Sequence, residues 1–124
     1  MKKALWILFI VALIAGCYYD NEEWLYPNPD LTCDTTGVAY SKSVVPILQT
    51  NCYSCHSSKQ AAAYGNNIDV EKYSSLKQSI NSGSFYGAVI HKSGYSPMPK
   101  GGARLDTCSL TKIKIWIDKG ALNN

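Results

Sequence analysis

Cys52-Tyr53-Ser54-Cys55-His56 is the stretch of this chain best equipped for chemistry. Two thiols at this spacing can add across the vinyl groups of a haem, and the next residue then presents an imidazole to the iron. CxxCH is the attachment signature of c-type haem. Iron held in this way is tuned by its axial ligands and their surroundings. The competing chemistries fit less well. A thioredoxin-like CxxC belongs in a βαβ context, which the flanking sequence lacks. A structural zinc site needs four ligands, and no second CxxC or HxxxH pair occurs in the chain.

An iron bound by one histidine takes a sixth ligand or keeps an open site. Met98 is the only methionine besides Met1, and it lies between Pro97 and Pro99, which restrict the backbone and stiffen the loop. His/Met ligation raises the reduction potential and suits electron transfer. Met98 as ordinary core filler is the plainer alternative. The other competitor is His91, the only other histidine, set between Ala88-Val89-Ile90 and Lys92-Ser93-Gly94. That context suits an exposed helix end, where the dipole favours a cation. His91 as ligand would give bis-His iron of lower potential.

Around these residues the chain resembles the class I c-type cytochromes. The resemblance runs from about Val38 to Leu122. Beyond CxxCH it rests on Val44-Val45-Pro46-Ile47-Leu48, on Ser96-Pro97-Met98-Pro99-Lys100-Gly101-Gly102, and on the closing Ile115-Trp116-Ile117-Asp118-Lys119-Gly120-Ala121. It implies an all-α, cytochrome c-like fold of three to four short helices around one covalent haem c. Cys52 and Cys55 would carry the thioethers, His56 would be the proximal ligand and Met98 the distal one. The first and last helices would cross. One departure stands out: no proline occurs between His56 and Pro97. The family's proline carbonyl, which orients the proximal imidazole, therefore has no counterpart, and a carbonyl from Ala61-Ala62-Ala63-Tyr64 is a candidate substitute.

The elements that must position these groups begin after an address label. Met1-Lys2-Lys3 and the apolar run from Ala4 to Ile14 have the form of a secretory signal, too short to span a bilayer. Leu13-Ile14-Ala15-Gly16-Cys17 resembles the bacterial lipobox, which implies removal of residues 1–16 and lipidation of Cys17. A signal anchor left uncleaved is the alternative. Residues 17–36 read as a polar tether, with Asp20, Glu22, Glu23 and the Pro27-Asn28-Pro29-Asp30 break. Its coil reach is roughly 20–25 Å. Residues 37–124 form the expected cytochrome c domain.

Charge follows the same division. The whole chain carries 12 Lys and Arg against 9 Asp and Glu, a net charge of +3. Loss of Lys2 and Lys3 leaves 10 against 9, or +1, which gives no support to nucleic-acid binding or a polybasic membrane patch.

Helices are expected over Ser43–Asn51, with Ser41 or Ser43 as cap, and over Val70–Ser82, capped by Asp69 and ended by Gly83. A third fits Ser84–His91. A fourth fits Ser109–Lys119, with Asp106 or Thr107 before it and Gly120 after it. Leu110, Ile113 and Ile117 give that last helix an apolar face, with Trp116 beside it, to meet Val44 and Leu48. Such short helices make a limited core, and an apolar cofactor would complete it.

With Cys17, Cys52 and Cys55 assigned, Cys33 and Cys108 remain of the five cysteines. In an exported, oxidising compartment they are expected to pair. Two free thiols, or an intermolecular link through Cys33, are the alternatives. The chain thus reads as a protein of the bacterial cell envelope, lipid-anchored outside the cytoplasm at the periplasmic face or the cell surface. It would be a monomeric electron carrier without catalytic residues, exchanging electrons with redox protein partners and binding no nucleic acid. Lys100 and Arg104 near the methionine loop would meet haem propionates, an acidic partner or only solvent. A haem enzyme subunit, or a gas sensor with a labile or bis-His sixth position, is the alternative function.

Overall fold

The computed structural model describes residues 33–124, so the signal segment, Cys17 and most of the tether lie outside the described residues. The compact unit runs from Cys33 to Asn124, and every element in it is helical. Tyr40–Val44 forms one π-turn that leads into α1, Val45–Asn51. α2 spans Tyr53–His56, α3 Ala61–Tyr64, α4 Tyr73–Asn81, α5 Ser84–Val89 and α6 Thr107–Asp118. Among the described residues no helix is long and apolar enough to cross a membrane.

The first helix starts differently from the serine-capped pattern. No side chain caps it; instead the Val45 N–H reaches back to the Tyr40 carbonyl. Pro46 has no N–H to give the Lys42 carbonyl, so the tighter ladder is interrupted there and the chain enters α1 through a wider turn. α4 is also shorter than expected at its start. Asp69 does not cap it: its Oδ1 accepts from the Glu71 and Lys72 N–H groups, and its Oδ2 accepts from the Ser58 hydroxyl. Val70 is buried, and its N–H donates to the His56 carbonyl at 2.9 Å, which keeps this segment out of the helix.

α6 follows its sequence signals more closely. Asp106 is its N-cap, accepting from the Ser109 N–H at 2.8 Å and from the Ser109 hydroxyl at 2.6 Å. Gly120, with φ of 91°, turns the chain away at its end. Its buried stripe is Leu110, Ile113 and Trp116, with Ile117 only half-buried at the core margin.

α6 packs on the Tyr40–Val44 turn, and Val44, Leu48, Leu110, Ile113 and Trp116 belong to one core. Tyr40 stacks on Trp116 with centroids 5.2 Å apart and meets Tyr73 edge-on at 5.3 Å. The Trp116 indole N–H donates to the Leu122 carbonyl, and the Tyr73 hydroxyl to the Ala121 carbonyl, each at 2.7 Å. The Ser41 and Tyr40 N–H groups donate to the carbonyl and side-chain oxygens of Asn124. This closes one end of the molecule, where the C-terminal residues meet the Tyr40–Val44 turn. Burying Trp116 alone is worth about 3 kcal/mol on transfer scales. Cys33 and Cys108 lie at disulfide distance, with sulfurs 1.99 Å and Cα atoms 5.6 Å apart, tying the start of the described residues to the first turn of α6.

Candidate functional site

The other end of the molecule is hollow. A larger cavity of about 770 Å³ and a smaller one of about 300 Å³ adjoin, sharing Cys52, His56, Ile68, Val89, Ser96 and Met98 as walls. Their sizes fall in the range of small-molecule sites, about 300–1,000 Å³. Residues distant in sequence therefore meet here: the CxxCH stretch on one side of the chain and the Pro97-Met98-Pro99 segment on the other.

Local backbone geometry explains how the CxxCH stretch is presented. Cys52 ends α1 and starts α2; its N–H donates to the Leu48 carbonyl, and its own carbonyl accepts from the Cys55 and His56 N–H groups. The resulting bend leaves Cys52 half-buried and Cys55 exposed, both on the larger cavity. Burial pushes the Cys52 thiol up to about 11, so it stays protonated at neutral pH.

His56 follows on α2 and is fixed through its own ring. Its Nδ1 lies 2.9 Å from the Ile68 carbonyl, which can only accept, so Nδ1 donates and, in the neutral ring, Nε2 keeps its lone pair. The carbonyl reaches this position because the chain reverses at Gly65-Asn66-Asn67. Asn66 and Asn67 take left-handed φ of 51° and 59°, a region asparagine tolerates better than most residues. The Gly65 and Asn67 N–H groups both donate to the Ala61 carbonyl, and the Ile68 N–H donates to the Gly65 carbonyl. Gly65 is required by space: a Cβ there would lie 2.5 Å from the Cys55 oxygen and 2.8 Å from His56 Nδ1.

The orienting carbonyl thus comes from Ile68, just past the Ala61–Tyr64 segment that the sequence suggested. A backbone oxygen carries no mark in the sequence. The Gly-Asn-Asn reversal beside the motif was the available signal.

Met98 lines both cavities and is half-buried. His91 lines neither. Its Nε2 lies 3.0 Å from the Met98 carbonyl instead. Phe85, Val89 and Leu105 supply buried apolar walls, and Tyr95 closes the smaller cavity against Gly87. Of the two cations near the methionine loop, Lys100 lines the larger cavity, while Arg104 is exposed and lines neither.

This donor set suits a covalently attached haem. Two thiols flank one wall, one imidazole keeps Nε2 free, and a thioether lies on the same space. Among the described residues no three His, Cys, Asp or Glu side chains converge as metal ligands. A porphyrin supplies four iron ligands itself, so two side chains are enough. No protein family, curated protein or solved structure matches the chain.

Proposed function

We propose that the chain is a lipid-tethered electron carrier with one covalent c-type haem, held through Cys52 and Cys55 and ligated by His56 and Met98. The reading rests on the motif's resemblance to the class I c-type cytochromes, and the all-helical fold is consistent with it. Its chief support is the His56 ring: Nδ1 is occupied by Ile68, Nε2 is free, and the same cavities are lined by both cysteines' stretch and Met98. Bound haem would supply a one-electron couple at iron.

The chain's own residues prepare the site for that group. The Ile68 carbonyl fixes the tautomer and orientation of His56 and makes Nε2 a better donor. Phe85, Val89 and Leu105 exclude water from the cavity walls, which favours the less charged state of a redox centre. Met98 offers a soft, neutral sulfur. Outer-sphere transfer asks no side chain to move a proton, so no catalytic residue is needed. Cys17 would carry the lipid that keeps the domain at the bacterial envelope, where redox proteins would be its partners.

The test is the intact mass of chain produced with a haem-attachment system. One haem per chain should persist through denaturation and vanish in Cys52→Ala/Cys55→Ala. The oxidised protein should show a sulfur–iron charge-transfer band that Met98→Ala abolishes. A reduced form that binds carbon monoxide readily in the wild type would instead favour a sensor or enzyme. Labelling by radioactive palmitate, lost in Cys17→Ser, tests the anchor.

A further inference from the structure

His91 has an unusual backbone for a residue with a Cβ. Its φ is 56°, in the left-handed region, and such conformations persist where surrounding contacts over-determine them. The contacts here are specific. The Ile90 and His91 N–H groups donate to the Tyr86 and Ala88 carbonyls, and the Lys92 N–H donates to the Gly87 carbonyl. A left-handed residue just past α5 satisfies these last carbonyls and reverses the chain. The reversal carries the His91 ring to the Met98 loop, where Nε2 lies 3.0 Å from the Met98 carbonyl.

Met98 is gripped from its other side as well. Its N–H donates to the Ala88 carbonyl at 3.1 Å, the same oxygen that accepts from His91. Pro97 and Pro99 have no N–H, so Met98 supplies the only main-chain donor in this three-residue stretch. Its two backbone groups are thus the points where the loop is tied to the end of α5.

We infer that His91 is a positioning residue for Met98, its Nε2–H holding the Met98 carbonyl so that the thioether stays on the cavity. The inference rests on the reading of Met98 as distal ligand. A carbonyl only accepts, so Nε2 donates; the neutral tautomer and the imidazolium both can. The role explains why a histidine tolerates this backbone yet lines neither cavity.

The test compares haem-loaded wild type, His91→Ala and His91→Gln. Alanine and glutamine carry the same left-handed strain, but only glutamine places an amide N–H at about the reach of Nε2. Added imidazole competes with the thioether for the sixth position, and its affinity reports how firmly Met98 is held. One net hydrogen bond corresponds to roughly a three- to tenfold change. His91→Ala should bind imidazole more tightly by that factor, with a weaker sulfur–iron band and faster peroxide oxidation of Met98. His91→Gln should recover most of each.

Wild-type behaviour in His91→Ala would overturn the inference, as would a His91→Gln variant no better than alanine. Loss of the low-spin spectrum in His91→Ala, with Met98→Ala unchanged, would make His91 the ligand and overturn it too. Absence of the sulfur–iron band from the wild type would overturn the ligand reading itself, before any variant is compared.

Discussion

The Ile68 carbonyl and His56 Nδ1 lie 2.9 Å apart, and that one contact ties the loop after α3 to the imidazole of the CxxCH stretch. The neighbouring bond from the Val70 N–H to the His56 carbonyl makes the tie two-pointed, ring and backbone together. The arrangement depends on close approach at Gly65. Gly65→Ala would set a Cβ 2.5 Å from the Cys55 oxygen and 2.8 Å from Nδ1, so the loop must retreat. Overpacking of this kind costs about 1–3 kcal/mol. Urea denaturation should show that loss, and the reduction potential of haem-loaded protein should shift as His56 loses its partner. An unchanged potential and stability would show that the loop moves freely without consequence for the ring.

The bond between Cys33 and Cys108 spans 75 residues of sequence. In the chain-entropy picture a loop of that length restricts the unfolded chain enough to add about 4 kcal/mol. Cys33→Ser/Cys108→Ser should therefore unfold at markedly lower urea. Its absorption spectrum should stay that of the wild type, because neither cysteine lines a cavity. Reductant should lower wild-type stability toward the variant's and leave the variant unmoved.

Asp106 gives α6 a pH-dependent start. The Ser109 hydroxyl, then the Ser109 N–H, hold its carboxyl below its ordinary value of 3.8. A carboxyl whose folded value is depressed adds stability that is complete above its unfolded value and fades as pH falls through the folded one. Asp106→Ala should thus cost about 1 kcal/mol at neutral pH, the usual worth of an N-cap. The gap to wild type should narrow as pH falls below 3.8. Asp106→Asn should keep most of the cap and flatten that dependence, as a denaturation series against pH would show.

What the sequence disclosed depended on whether a side chain carried the information. Asp106, Gly83 and Gly120 mark helix limits through their own chemistry, and Leu110 with Ile113 marks the buried face of α6. The face then turns toward Trp116 instead of Ile117 because Tyr40 offers a ring to stack on, a pairing between residues far apart in sequence. Asp69 resembled a helix cap but serves a turn, since Val70 is drawn to the His56 carbonyl. The CxxCH stretch and Met98 were legible as candidates. Their supports were not: Ile68 and Met98 act through carbonyls, and the direction of the His91 ring follows from a left-handed φ.

The uneven packing of the two ends leads to a prediction for the chain without haem. At the closed end Tyr40, Trp116, Ile113 and Leu48 are almost fully buried, and hydrogen bonds from Trp116, Tyr73 and Tyr40 secure the C-terminal residues. At the hollow end, α5 and the Ser96–Met98 stretch wall cavities of about 300 and 770 Å³. Protein interiors are otherwise close-packed, and cavity walls that lack partner atoms forfeit dispersion contacts. The hollow end should therefore lose its structure first. A Cys52→Ser/Cys55→Ser chain purified without haem should show clearly less helix by circular dichroism than the loaded protein. In hydrogen exchange the amides of α5 and Met98 should open well before those of α6, because local stability follows local packing. Near-native helix with uniform protection along the chain would mean that the protein core is sufficient alone, and that the cavity walls stand without a cofactor to fill them.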